Sequence, residues 1–419
     1  MAGAYTIGIE EEYFLVDAET KTVAAERPEA FFAAAKAALG SQVSGEMLQS
    51  QIEVTTEPHH DMSTARTELR HLRSTVAKVA AEHGLAILAA GTHPTAAWEF
   101  SQQSQAERYD VVMHDLQMIG QRNMLCGLHV HVELPDPDDR VDIMMRMLPY
   151  LPLFIALATS SPFWRARPTG LKGYRLAAYD ELPRTGVPEL FRKAEEFEAY
   201  IAALTKAGVI DDASYVWWAL RPSLQHPTLE LRAPDSCTLV DDSIAIAALY
   251  RSLAHRLVRN PLLNADMTAV GRAIVVENKW RAQRYGVNGT FASPDGSGAV
   301  TVAEQLEQVL AEVLPDAAEL GCSSHVSRCR DIVGTGTFAS MDGSGAVSVA
   351  EMLDRVLDDI DADAEALGCK PHVERCRSIV RAGTSADAQI AVFQAQAKTE
   401  SRTRALDAVT DWLAAATLQ

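Results

Sequence analysis

Two histidines and a carboxylate fall on alternate positions of Cys126-Gly127-Leu128-His129-Val130-His131-Val132-Glu133. In an extended strand His129, His131 and Glu133 share one face, and Leu128, Val130 and Val132 share the other. That pattern suits a metal site or an acid–base site with a packed apolar back. It suits equally a half-buried strand with a solvated polar side. Three more strand-like stretches put carboxylates on one face: Gly8-Ile9-Glu10-Glu11-Glu12-Tyr13-Phe14, Gln51-Ile52-Glu53-Val54-Thr55 and Thr228-Leu229-Glu230-Leu231-Arg232. Glu10 and Glu12 face one way and Glu11 the other. Carboxylates inside an apolar strand are costly unless they are paired, metal-bound or on an exposed edge. Oxygen-rich clusters of this kind are what hard divalent cations bind.

The elements that must carry these residues can be read around them. Residues 5–16 form a strand, 28–39 an Ala-rich helix, and 46–56 an extended run holding Glu46 and Glu53. Leu69, Leu72, Val76 and Val79 recur at spacings of three and four, which predicts an amphipathic helix from Asp61 to His83, closed by Gly84. Leu85 to Ala90 is a buried strand that ends at His93. Helices are expected near 107–123, 139–158, 189–207 and 241–259, and a further helix ends at Gly286. Between them runs a long irregular segment rich in Pro, Gly and Arg. Segments of this length are often lids or binding loops. Its Lys172, Arg175 and Arg184 are candidate partners for phosphate or carboxylate, and each is also readable as an ordinary surface cation.

Composition narrows the class. The 419 residues are 47% apolar and 22% charged, which fits a globular protein with a large core. A net charge of −18 argues against nucleic acid or an anionic membrane as the main partner. An anionic substrate would therefore need local cations or metal. No run reaches the roughly eighteen apolar residues of a spanning helix, and the first residues lack a basic stretch followed by an apolar one. A cytoplasmic protein with reduced cysteines is the expectation.

After residue 288 the chain repeats itself. Gly289-Thr290-Phe291-Ala292-Ser293 recurs as Gly336-Thr337-Phe338-Ala339-Ser340, and Cys322, His325 and Cys329 recur as Cys369, His372 and Cys376. The offset is constant, without a gap, and most aligned positions are identical. Two copies are too few for a solenoid, so this reads as a tandem duplication. The Cys/His spacing does not match a standard zinc module and fits a packed helical seam as well.

Taken in order, these stretches resemble one family. Gly8 to Phe14, Gln51 to Thr55, Gly91-Thr92-His93-Pro94, Gly127 to Val132, Ser161-Pro162-Phe163-Trp164, Arg221-Pro222-Ser223, Thr228 to Arg232 and Glu277-Asn278-Lys279-Trp280-Arg281 are similar to motifs of the carboxylate–amine ligases of the glutamate–cysteine ligase type 2 family. The resemblance implies an α+β fold: a glutamine-synthetase-like curved, mainly antiparallel sheet with helices on its outer side. To this the chain adds a duplicated helical C-terminal unit. The implied reaction joins a carboxylate, typically the γ-carboxylate of glutamate, to an amine or amino acid through an acyl phosphate, using ATP and Mg²⁺ or Mn²⁺. The implied metal ligands are Glu10, Glu12, Glu46, Glu53, His129 and Glu230. Arg232, Arg175 and Lys172 take the catalytic positions, and Arg221, Arg184 and Lys279 the nucleotide-binding ones. A homodimer is expected. Two departures from the family pattern bear on substrate choice: Ala219 stands where an acidic residue is usual, and Lys172-Gly173-Tyr174-Arg175 replaces a smaller segment.

The expected organisation is a catalytic region over 1–288, helical repeat units over 289–335 and 336–382, and a C-terminal helical segment over 383–419 that packs back on the catalytic region. Two other readings stand beside the ligase. One is a non-catalytic relative that binds nucleotide or amino acid. Five buried carboxylates without metal weigh against it. The other is a metal-dependent hydrolase built on His129 and His131. The absence of an HExxH-type ligand pair weighs against that.

Overall fold

Strand β1 (Ile7–Asp17) is long enough for three other strands to share it. The computed structural model describes residues 5–24, 27–294, 296–336, 389, 392–396 and 402–417. β2 (Val43–Gly45) pairs with β3 (Gln51–Thr55), and β3 lies along one edge of β1. On the other edge, β4 (Leu85–Leu88) pairs with Phe14–Asp17, and β5 (Leu128–Glu133) pairs with Ile7–Glu11. A separate small hairpin is formed by β6 (Phe163–Trp164) and β7 (Arg167–Pro168). The main sheet is completed by β8 (Leu220–Pro222) and β9 (Thr228–Leu231), giving the order β2-β3-β1-β5-β9-β8 with β4 beside β1. Every pairing in it is antiparallel. β1 is thus central and no exposed edge, so its three consecutive glutamates need partners.

The two faces of β1 meet different surroundings. Ile7, Ile9, Tyr13 and Leu15 point back into the main core, against helices Met62–Glu82 and Val240–Arg259. The first of these helices starts where Asp61 accepts a hydrogen bond from the Thr64 amide, and it is followed by Gly84 at φ 70°. Leu69, Leu72 and Val76 are fully buried, so the helix turns its apolar stripe to the sheet. Glu11 shares that back face. It is met by Arg73 of the same helix, whose Nη2 donates to both carboxylate oxygens at 2.7 and 2.8 Å, and by the hydroxyls of Tyr13 and Ser243. Arg73 also donates to the carbonyls of Cys237, Thr238 and Thr417.

On the front face, Phe14 and Val16 pack with Leu88 against Leu406, Val409 and Leu413 of the helix Arg402–Thr417. Glu10 and Glu12, nearer the start of the strand, face the open part of the same side. Local boundaries differ from the sequence reading: the helices expected over 107–123 and 139–158 are interrupted, the first at Gln117 with φ 50° and the second by a 3-10 turn over Leu148–Tyr150. The 46–56 run is a turn followed by β3, and the helix expected over 189–207 runs from Ala194 to Lys206.

The first repeat unit consists of the hairpin β10 (Thr290–Ala292) and β11 (Ala299–Thr301) and the helices Val302–Glu319, Ser323–Ser327 and Cys329–Gly336. Thr301 and Glu304 form a capping box at the first of them. The unit docks on helix Val240–Arg259: Asp316 accepts from His255 at 2.7 Å, Arg328 donates to Asp242, and the Cys329 thiol donates to the Ala245 carbonyl. Cys322 and Cys329 are buried contacts of that seam. Residues 337–382 of the second unit, with Cys369, His372 and Cys376, lie outside the described residues.

The docking face recurs in the sequence of the second unit. Buried Leu306, Val309, Leu310, Ala317, Cys322, Val326, Cys329 and Ile332 have counterparts in Leu353, Val356, Leu357, Ala364, Cys369, Val373, Cys376 and Ile379, and Asp316 and Arg328 have counterparts in Asp363 and Arg375. We expect deletion of residues 289–335 to leave a soluble protein that melts cooperatively and keeps its activity, since Asn288-Gly336-Thr337-Phe338 recreates the original junction. Aggregation of the variant, or a folded variant without activity, would show that the first unit does more than fill this seat.

Candidate active site

Cross-strand register stacks the polar residues of the front face into rows, because partners in an antiparallel ladder share a face. Glu12 pairs with Glu53, which pairs with Ser44. Glu10 pairs with His129. His131 pairs with Glu230, which pairs with Arg221. Four strands remote in sequence thus bring five ligand-type side chains together. They form two sets, Glu10–His129–Glu230 and Glu12–Glu53–His129, and in each set the candidate ligand atoms lie within 4.8 Å of one another. His129 Nδ1 faces Glu10 at 3.2 Å and its Nε2 faces Glu12 at 3.7 Å. His129 Nε2 and His131 Nε2 are buried without a hydrogen-bond partner among the described residues. Orphaned imidazole nitrogens beside several carboxylates fit a bound hard cation. Glu12, Glu53, Arg175 and Arg232 line a cavity of about 670 Å³.

The cations around Glu230 hold it in place. Arg221 Nε donates to it at 2.6 Å, and Arg232 Nη1 pairs with it from two residues along the same strand. Arg175, on helix Tyr174–Tyr179, is buried and donates through Nη1 to the carbonyls of Arg232, Ala233 and Pro234. Gly127 permits that approach: a Cβ there would come within 2.2 Å of Arg175 Nη2. The Nε atoms of Arg175 and Arg232 are buried and unpartnered among the described residues.

These neighbours drive the carboxylates apart in acidity. Burial raises Glu53 well above the ordinary carboxylate range, and the charges of Glu10, Glu46 and Glu12 add to it. Burial, with Glu12 next, brings Glu46 up to about 7. Burial also opposes ionisation of Glu10 and Glu230, and is outweighed in both. The hydrogen bond with His129 and the His131 imidazole 3.4 Å away hold Glu10 low, and Arg232 and Arg221 hold Glu230 low. Burial, and then Arg232, lowers His129 and keeps its imidazole neutral, the form that donates a lone pair to a metal.

One consequence is measurable. The folded protein holds the Glu46 proton better than the unfolded chain does. The stability tied to this group is therefore largest below the ordinary carboxylate range and declines as pH rises toward about 7. Without divalent cations, we expect Glu46→Gln to melt above the wild type at pH 8, by on the order of 1 kcal/mol after solvent screening, with the gain shrinking toward pH 5. Melting curves at the two pH values test this; an equal gain at both would contradict it.

Known proteins are similar to this chain in sequence and in fold. A family model described as glutamate-cysteine ligase family 2 matches residues 6–343. The chain belongs to that family. A protein of Bradyrhizobium sp. strain ORS 278, named "Putative glutamate--cysteine ligase 2", is 58% identical over 329 residues, covering 78% of this chain and 80% of that one. A like-named protein of Rhodospirillum rubrum is 42% identical over 334 residues, covering 79% and 86%. Among solved structures, the glutamate–cysteine ligase of Francisella tularensis in complex with AMP superposes with a TM-score of 0.62 at 12% identity over 98% of both chains. A bifunctional glutathione synthetase from Pasteurella multocida does so with 0.59 at 15% identity, over 96% of this chain and 53% of that one. These likenesses support the antiparallel, helix-backed fold, and family membership makes the chain a ligase. No helix among the described residues is long and apolar enough to cross a membrane.

Within this family 2 ligase, other candidate residues are placed differently from the central five. Glu46 lines the cavity from the turn before β3 but belongs to neither ligand set. Lys172 lines a smaller, separate cavity with Arg284 and Phe393. Lys279 is buried and pairs with Asp180. Arg184 donates to the Tyr215 carbonyl and stacks over Trp217. Arg221 is spent on Glu230 and on the Ser214 and Val216 carbonyls. Loop and helix cations find local acceptors that spacing in sequence does not reveal. Gln51, Tyr109, Tyr179 and Arg27 also line the cavity and were not singled out by motif. Gln51 had the clearest signal, since it shares the β3 face of Glu53. His93 is buried, and its ring accepts from the Thr95 and Ala96 amides, a structural role.

Proposed function

We propose that this chain is an ATP-dependent carboxylate–amine ligase that forms a γ-glutamyl amide through an acyl phosphate and releases ADP and phosphate. The observation that carries this reading is the pair of three-residue ligand sets sharing His129, set beside two arginines, Arg175 and Arg232, whose Nε–H groups are buried and have no partner among the described residues. Glu10, His129 and Glu230, and Glu12, Glu53 and His129, would hold Mg²⁺ or Mn²⁺. Bound divalent cations would offset triphosphate charge and orient the γ-phosphoryl group.

The protein's own residues account for the rest. Arg232 is fixed by Glu230, so its free Nε–H can meet negative charge on a transferring phosphoryl group without reorganising. Arg175 is fixed by three backbone carbonyls and offers a second such donor. Both line the same cavity as Glu12 and Glu53, so the two donors face the space where phosphoryl transfer would take place. The amine then attacks the activated carbonyl carbon. The C–N bond forms, the C–O bond to phosphate breaks, and the electron pair leaves with phosphate while the nitrogen sheds a proton.

The test is a nucleotide product assay with glutamate and a panel of amines and amino acids. We expect ADP and inorganic phosphate in step with amide formation. AMP and pyrophosphate would point to an adenylating enzyme, and hydrolysis of an amide without nucleotide turnover would favour the hydrolase.

A further inference from the structure

Arg27 lies at the cavity wall beside Gly45, Phe32 and Tyr109, away from the motifs that carry the family resemblance. Its guanidinium carbon sits over the Phe32 ring, 4.1 Å from the centroid. Its Nη1 is buried and has no hydrogen-bond partner among the described residues. Gly45 makes the room for it. A Cβ at that position would lie 2.4 Å from Nη1 and 2.8 Å from Cζ, although Gly45 has no left-handed backbone to explain the glycine. A buried guanidinium N–H without an acceptor is costly, and a ligand that brings the acceptor offsets that cost.

The kind of acceptor follows from the surroundings. Arg175 and Arg232 stand beside the histidine–carboxylate sets and are the cations placed for phosphate. Arg27 is elsewhere on the wall, next to one acid, Glu46, and two aromatic rings. A planar, stacked fork matches a planar carboxylate bidentately. We propose that Arg27 recognises the free carboxylate of an amino-acid substrate, the one that is not activated, and so sets the preference for amino acids over simple carboxylates or amines.

This rests on the ligase reading but is tested apart from it. Calorimetric titration would measure the binding of L-glutamate against its α-carboxamide, and of L-cysteine against cysteamine. The proteins are the wild type, Arg27→Met and Gly45→Ala, each with Mg²⁺ and a non-hydrolysable ATP analogue. We expect the wild type to prefer the carboxylate form of one pair by roughly 10- to 100-fold, the scale of a charge-assisted hydrogen bond. Arg27→Met abolishes that preference, and Gly45→Ala reduces it by pushing the guanidinium aside. Loss in the glutamate pair assigns Arg27 to the donor, and loss in the cysteine pair assigns it to the acceptor. No preference in the wild type, a preference that survives Arg27→Met, or a loss confined to the ATP analogue or Mg²⁺ would overturn the proposal. ADP release by the wild type reads the ligase assignment separately, so either idea can fail without the other.

Discussion

We expect Glu53→Gln and Glu230→Gln each to abolish ligation, by at least about 10²- to 10³-fold, for one shared reason and with opposite effects on stability. Each removes a negative ligand from a different one of the two sets, so neither set can compensate for the other. Their charge environments diverge. Glu53 is crowded by Glu10, Glu46 and Glu12, and its proton is held well above the usual carboxylate range. A neutral amide there relieves repulsion, so Glu53→Gln should melt at or above the wild type at pH 8 without divalent cations. Glu230 is matched by Arg221 and Arg232 and held ionised. Its folded-state pKa is depressed, so the stability it contributes is present above the ordinary carboxylate range and is lost as pH falls below it. Glu230→Gln leaves two guanidinium groups facing a neutral amide and should melt lower while still folding. ADP release across a Mg²⁺ series, together with melting curves, checks both halves. Near-normal turnover in both variants at low Mg²⁺ would remove the metal assignment.

The second large effect is on the back of the same strand. Arg73→Met is expected to cost about 3–5 kcal/mol of stability, because it leaves the Glu11 carboxylate buried and unmatched. Glu11 is fully buried and Arg73 is 2% exposed, so the lost charge partner is not replaced by bulk solvation of the carboxylate in the native packing. The double variant Glu11→Met/Arg73→Met should recover part of the loss, since two apolar side chains need no counter-charge. Recovery stays incomplete because Arg73 also satisfies the carbonyls of Cys237, Thr238 and Thr417. Urea unfolding of the two single variants and the double variant gives the coupling directly. A single variant within about 1 kcal/mol of wild type would mean that the pair contributes little.

Much of the central site was legible because strand alternation is strict. Once Glu10, Glu12, Glu53, His129 and Glu230 are each read on one face of a strand, pairing of those strands is enough to bring the five together. Glu11 was legible as a buried charge needing a partner, but Arg73 was not, since a helix of amphipathic period does not announce which of its arginines turns inward. Glu46 sits in a turn, where no periodicity fixes direction. Lys172 and Arg184 sit in the long irregular segment and Lys279 on the helix Ala269–Tyr285, and the acceptors that meet them, Asp180 for Lys279 and the Tyr215 carbonyl for Arg184, are set by how that segment packs. Arg27 carried no motif at all. Its place depends on an absent side chain at Gly45.

Thr417, in the last described helix, reaches back to structure laid down at the beginning. Its hydroxyl accepts from the Ala89 amide, its carbonyl accepts from Arg73, and the helix that carries it covers Phe14 and Val16. On a ribosome adding about 5–20 residues per second, β1 would wait roughly 20–80 seconds for that cover. Through that interval Phe14 and Val16 of the first strand and Leu88 of β4 lack the cover of that helix. A message cut short before residue 402 would leave the strands of the main sheet without the Leu406, Val409 and Leu413 that pack on Phe14, Val16 and Leu88.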